Sequence, residues 1–396
     1  MRIITLAILC ALAVLPARAT VLGDAAANLK PGEWVSFSAK GWSSALITTG
    51  VDNILNYSNS GVWDPIKKEI RFVGQGHYEA EKMIIYDDAT NTWRNASPPV
   101  GSGIGHGYDH NTINTVTGIS YYRKYYSTGI YAFQNNAWSK LTNMPGTEDD
   151  YSCCGALVYF NDYNGLTFWG GGKLYGFRDN KWTTLKTGLA MGDYHNVAEY
   201  SRQYGLVFGG GGNGSKSLFA MDGKGNVTAV PAAPTGLGVN TGLMSVDPAT
   251  GELLVIGGSG TFHAYYPAAK TWKNLPNPPT KFLELEGLAT KMTVAIPIDT
   301  YGITMFLHRD GVDLYKHIPS GPVVVGLGRS GAAPRIRTGG GMVAFGSDWS
   351  ANPAYQGLQA VTLMGRNLPA LTQGGDAGSI RMRPSAGVYM MLPERR

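Results

Sequence analysis

Short apolar runs that end in glycines recur along the chain, at Leu166 to Gly172, Leu206 to Gly212 and Leu253 to Gly258. Ahead of each lies an entry run and a turn such as Asp247-Pro248-Ala249-Thr250-Gly251. Behind each lies another short run, such as Leu174 to Phe177 or Phe262 to Tyr266, and then a more polar segment carrying one large anchor. Such runs, bounded by turn residues, are strand signals. The anchors Trp93, Trp138, Trp182, Val227 and Trp272 follow one another at intervals of 45, 44, 45 and 45 residues. Four short strands per period of 40 to 50 residues, with a glycine pair and a spaced tryptophan, predict the blades of a β-propeller.

One irregularity sets the blade number. A sixth unit has strand-like runs at Leu288 to Ala295, Gly302 to Leu307 and Val312 to Ile318, with no Trp segment behind them. Pro31 to Ser38 (PGEWVSFS) has the Trp-strand pattern with no blade in front of it. If that N-terminal strand completes the last blade, the ring closes and no sheet edge stays open. The expected fold is therefore all-β, a six-bladed propeller over residues 20–318. The period is lost over residues 319–396, where Pro322 to Leu327, Gly341 to Phe345, Leu358 to Met364 and Val388 to Leu392 read as a small β appendage, or else as an irregular seventh blade.

The segments Phe168 to Trp182 (FWGGGKLYGFRDNKW) and Val255 to Trp272 (VIGGSGTFHAYYPAAKTW) resemble Kelch-type β-propellers. The resemblance spans roughly residues 33–318 and speaks to fold. In that reading the tryptophans pack between blades and the glycines permit tight turns.

The N-terminus places the protein. A basic start at Arg2, an apolar run from Ile3 to Val14 and an Ala-x-Ala ending at Ala17-Arg18-Ala19 predict a secretory signal, residues 1–19, cleaved after Ala19. Cys10 sits within the apolar run behind Leu9, where a lipoprotein signal needs a small residue. No later run reaches the length that spans a bilayer. A secreted or periplasmic protein is expected. Losing Arg2 and Arg18 lowers the net charge from +5 to +3. Eight arginines, no lysine and only Asp348, Asp376 and Glu394 fall beyond Ile318, so the propeller itself is slightly acidic. That distribution argues against a nucleic-acid partner. A monomer is expected.

Candidate chemistry concentrates where the chain passes from one blade to the next. His106, Tyr108 and His110 fall in GIGHGYDHNTI (Gly103 to Ile113) and would share one face of a strand. His106 lies twelve residues before Gly118 and Cys153 twelve before Gly165; Tyr194 and His195 lie eleven and ten before Gly205. These positions predict the mouth of the central channel. Loops between second and third strands open on the same face and bring His77, Arg123, Tyr125, Lys173, Lys216, His308 and Arg309; Tyr151 precedes the cysteine pair. Such a funnel suits stacking of tyrosines on sugars and capture of an anionic group by a cation. The expected catalytic set is His106, Tyr194, His195 and Arg123. The expected substrate-binding set is His77, Tyr108, Tyr125, Tyr151, Lys173, His308 and Arg309.

A His or Tyr beside a cation fits proton removal next to a carboxylate, the first event in β-elimination of uronate polysaccharides. Several polysaccharide lyases are propellers that use such residues, a comparison at the level of fold. The expected partner is an extracellular polysaccharide or oligosaccharide, with no cofactor, and a non-catalytic glycan-binding or adhesion module is the competing class. Tyr194-His195 also resembles the adjacent copper ligands of galactose-oxidase-like enzymes, to which Cys153 or Cys154 would add a thioether to tyrosine. That family takes a further histidine after its propeller, and this chain has none beyond His317. Copper or calcium is thus a minor alternative. In an oxidising compartment the adjacent Cys153 and Cys154 are expected to form a strained vicinal disulfide.

Overall fold

The computed structural model describes residues 20–48, 53–76, 81–99, 106–125, 127–145, 154–239, 241–258, 260–279, 293–319, 358–362 and 389–393. Six four-stranded antiparallel sheets form the blades of a propeller. Blade 1 begins at Val62–Asp64, blade 2 at Asn111–Asn114, blade 3 at Ala156–Phe160, blade 4 at Asn196–Ser201, blade 5 at Gly242–Val246 and blade 6 at Thr293–Ile298. These first strands touch one another in cyclic order, blade 6 returning to blade 1, and so define the axis. Where the ring closes, Ser60 bridges Ala295 in parallel, and the Ala295 N–H donates to the Asn59 carbonyl at 2.9 Å.

The closing strand is the N-terminal one. Trp34–Phe37 pairs antiparallel with Gly311–Tyr315, Trp34 opposite Tyr315 and Phe37 opposite Val312, and becomes the fourth strand of blade 6. The ring is complete without a seventh blade. Two short helices interrupt the all-β pattern: α1 (Val21–Asn28), capped by Thr20, and α2 (Ser44–Ile47), capped by Ser43. Leu22, Ala26 and Leu29 of the first, and Leu46 and Ile47 of the second, enter the core shared by blades 6 and 1. The chain divides after Ile318 into a second unit, whose described part is an antiparallel hairpin of Leu358–Thr362 with Tyr389–Pro393. The runs expected at Pro322 to Leu327 and Gly341 to Phe345, and the start of the run at Leu288, lie outside the described residues.

The repeat has a physical basis in its anchors. Each sits opposite a large residue of the third strand: Trp93 against Tyr86, Trp138 against Phe133, Trp182 against Phe177, Val227 against Met221, Trp272 against Tyr265 and Trp34 against Tyr315. Ring centroids in the five aromatic pairs lie 4.6–5.2 Å apart, all tilted. Three of the indoles also tie neighbouring blades. Trp138 Nε1 donates to the Ser97 carbonyl at 2.9 Å, Trp182 to Thr142 at 3.0 Å and Trp272 to Pro231 at 3.1 Å, each acceptor lying just beyond the previous blade's last strand. These three tryptophans are pegs between blades.

The turn between first and second strands carries one left-handed residue per blade: Lys68, Gly118, Asn164, Gly205, Gly251 and Gly302, with φ between 56° and 78°. Asp64, Asn114 and Asp247 open three of these turns by accepting backbone N–H bonds two or three residues on, the local bonding that favours such residues there. In blade 3 the turn residue is Asn164, one position before the Gly165 used for the sequence count. Counted from these residues, Tyr108, Cys154 and His195 each lie ten positions before the turn of their blade.

Candidate functional site: an aromatic collar at the blade entries

The GIGHGYDHNTI segment is not a continuous strand. The first strand of blade 2 starts only at Asn111, and Tyr108 adopts a left-handed backbone with φ 46°. Residues 101–105 lie outside the described set. The three rings nevertheless run together, His106 to Tyr108 at 5.2 Å and Tyr108 to His110 at 5.5 Å between centroids. A bend takes the place of strand alternation in aligning them.

Around these rings gather others from the entries to blades 1 and 4. Tyr57 stacks on His106 at 4.0 Å and 23°, and faces His195 at 5.8 Å and 21°. Tyr108 lies stacked at 5.5 Å from His195, and Tyr125 lies 5.4 Å from Tyr108. Tyr194 flanks His195 at 6.2 Å and is 36% exposed. The backbone connects the same positions: Ser58 bridges Tyr108 in parallel, and the His195 N–H donates to the Cys154 carbonyl at 2.9 Å. Tyr57, Tyr108 and His195 all hold φ between 46° and 65°. Bulky residues pay about 1–3 kcal/mol each for such conformations, and these concentrate where a structure has a use for them.

Two polar contacts define the chemistry of the collar. His195 donates its Nδ1–H to Asn213 Oδ1 at 3.1 Å, which leaves Nε2 with its lone pair. Burial lowers the His195 pKa, partly opposed by that hydrogen bond, so the ring is neutral at pH 7. His106 Nδ1 and the Tyr108 hydroxyl lie 3.0 Å apart, linking an imidazole to a phenol. Glycines make room for this arrangement. A Cβ on Gly192 would meet the Gly212 carbonyl oxygen at 2.2 Å, and one on Gly238 would meet the His195 carbonyl oxygen at 2.9 Å.

Arg123 lies beneath the collar. Only 2% exposed, its guanidinium covers the Phe168 ring at 4.7 Å, and Nη1 approaches His110 Nε2 at 3.4 Å. Burial pushes its pKa down to about 9, against the opposing influence of Tyr122 and Tyr108. The arginine therefore supports the rings and does not face solvent. His308 bonds Asp313 at 2.9 Å inside its own hairpin, with both side chains buried, while Arg309 is exposed beside Asp310. Lys173 opens the third strand of blade 3 and is half-buried. His77, Tyr151 and Cys153 lie outside the described residues; Cys154 is fully buried in the same apolar cluster as Tyr108.

The axis also holds carboxyls. Asp109 accepts from the Ser60 hydroxyl and from the Ala198 N–H at 2.9 Å, and its backbone bridges Ala156, so it joins blades 1, 2, 3 and 4. Asn59 reaches Glu199 at 3.5 Å and exchanges bonds with the Met244 backbone at 2.8 and 2.9 Å. Burial is the first cause that raises Asp109 to about 7, and burial with the neighbouring Asp109 charge lifts Glu199 well above the carboxylate range. Among the described residues, no three His, Cys, Asp or Glu side chains are grouped to hold a metal ion.

No family model matches the chain, and no curated protein matches it. Solved structures similar to it include a structural genomics protein of unknown function from Bacteroides thetaiotaomicron VPI-5482, at 10% identity over 72% of this chain and 76% of that one, TM-score 0.48. A fungal alcohol oxidase of the AA5 family in complex with copper is 9% identical over 72% and 76%, TM-score 0.44. The Niastella koreensis GH74 enzyme is 13% identical over 66% of this chain and 37% of that one, TM-score 0.43. These likenesses stop at architecture and leave the chemistry to the residues themselves. No described helix is long and apolar enough to cross a membrane.

Proposed function

We propose that this chain is an exported propeller of Kelch type whose collar binds uronate-containing polysaccharide and cleaves it by β-elimination. The observation that carries the reading is His195: a neutral imidazole, its Nδ1–H fixed by Asn213, with Nε2 left as a base among stacking rings. In the reaction Nε2 takes the proton from the carbon beside the uronate carboxyl. The glycosidic C–O bond breaks, a C=C double bond forms, and the leaving oxygen takes a proton from the Tyr108–His106 pair. Tyr57, Tyr125 and Tyr194 supply faces for sugar stacking. Cys153 and Cys154, joined as neighbours, would stiffen the blade 3 entry beside Tyr108.

A glycan-binding module without turnover is the second reading, favoured by the deep burial of Tyr108, 3% exposed, and His106, 9% exposed. Incubation with a panel of uronate polymers separates the two. The expected result is ultraviolet-absorbing unsaturated ends, formed at least ~100-fold more slowly by His195→Ala. Binding with no unsaturated product from any polymer would leave the module.

A further inference from the structure

We infer that cleavage after Ala19 creates an ammonium group at Thr20 that docks on buried Asp88 and fastens the strand closing the ring. The inference rests on the export reading above. Hydrolysis of the Ala19–Thr20 bond by a signal peptidase adds water, leaving a carboxylate on Ala19 and an ammonium on Thr20.

Thr20 is the N-cap of α1, and its hydroxyl accepts the Gly23 N–H at 3.0 Å. The same hydroxyl lies 2.9 Å from the Tyr301 hydroxyl, which donates to Asp88 Oδ2 at 2.5 Å. Two hydrogen bonds thus join the predicted first residue of the mature chain to a carboxyl group from blade 1. Asp88 is 1% exposed, and its other oxygen, Oδ1, is buried without a hydrogen-bond partner. A buried carboxylate served by one phenol is costly, and a cation with several donors offsets that cost. An uncut chain presents a neutral peptide N–H at Thr20, whereas a cut chain presents three N–H donors and a positive charge. Asp24, in the first turn of α1, adds a second carboxylate to the same helix end.

The consequence reaches the ring closure. Leu22, Ala26 and Leu29 bury α1 in the core that includes Phe37 of the closing strand and blades 1 and 6. Processing would stabilise α1 against that core, and through it the strand Trp34–Phe37. A precursor lacking the ammonium would hold its ring closed less firmly while it awaits export.

Intact mass of the exported protein gives its first residue. Melting temperatures are then compared for the protein starting at Thr20 and for one with Gly-Ser ahead of Thr20, each with and without Asp88→Asn. The expected results are a start at Thr20, a melting temperature at least ~2 °C higher for the Thr20 form than for the extended form, and a larger loss from D88N in the Thr20 form. A different first residue overturns the cleavage. A Thr20 start with equal melting temperatures for the two wild-type forms, or equal losses from D88N, overturns the docking and leaves the export reading standing. If D88N does not fold, the wild-type pair alone decides.

Discussion

His195 combines three properties that rarely meet in one surface histidine: a left-handed backbone, a committed Nδ1 and a lowered pKa. If His195 is the base of the proposed elimination, it acts when neutral, and the acid limb of kcat/KM on a uronate polymer should fall below the usual histidine range. Asn213→Ala removes the bond that opposes the lowering, so it should move that limb further down and, by freeing the tautomer, slow turnover; pH–rate profiles of both proteins check this. The axial carboxyls make a second prediction. Asp109 and Glu199 bind protons more tightly folded than unfolded, so their contribution to stability is full below the ordinary carboxylate range. It is lost as pH rises through about 7 for Asp109, and Glu199, raised in the same direction, adds to the loss. Denaturant titrations from pH 4 upward should show the decline, and Asp109→Asn should flatten it. His106 and His195 are legible in the sequence from their spacing to the turn, and Tyr108 from its place midway between His106 and His110. Tyr57, Asn213 and the axial pair are not, because a positive φ on a non-glycine residue and a buried carboxyl partner leave no mark in hydrophobic patterning.

At the scale of the strand, the 45-residue beat records a packing rule. In five blades the fourth-strand anchor is a tryptophan facing a third-strand aromatic, and in three of these the indole also reaches the chain leaving the previous blade. Such contacts fix spacing, so the beat is visible in the sequence. Trp182→Phe keeps the ring against Phe177 and leaves the Thr142 carbonyl without its 3.0 Å donor, an expected loss of about 1 kcal/mol in urea unfolding. Gly209 tests steric fit. A Cβ there would stand 2.5 Å from the buried Trp169 ring, and Gly209→Ala is expected to cost about 1–3 kcal/mol by the same measurement. The two helices escaped the sequence reading because each is at most 8 residues long, too short for helical periodicity to stand out. They owe their form to caps at Thr20 and Ser43 and to the core beneath them.

For the whole molecule, closure by Trp34–Phe37 turns six sheets into one ring, in which rings at the entries to blades 1, 2 and 4 meet. The missing Trp strand in the last unit and the spare one at the N-terminus make that closure readable in the sequence. The side-chain arrangement is readable in the sequence only in part, since loop position puts Arg123 and His308 with the collar residues, whereas Arg123 is buried against His110 and His308 against Asp313. The claim that binds fold to function is that this collar holds the glycan. Its direct test is the affinity of a uronate oligosaccharide for wild type, Tyr57→Ala and Tyr121→Ala, the last altering a stacked pair with Tyr159 at the interface of blades 2 and 3. Calorimetry should give a dissociation constant raised at least ~10-fold by Tyr57→Ala, about 1.4 kcal/mol, and unchanged by Tyr121→Ala. Equal affinity for wild type and Tyr57→Ala would contradict the account.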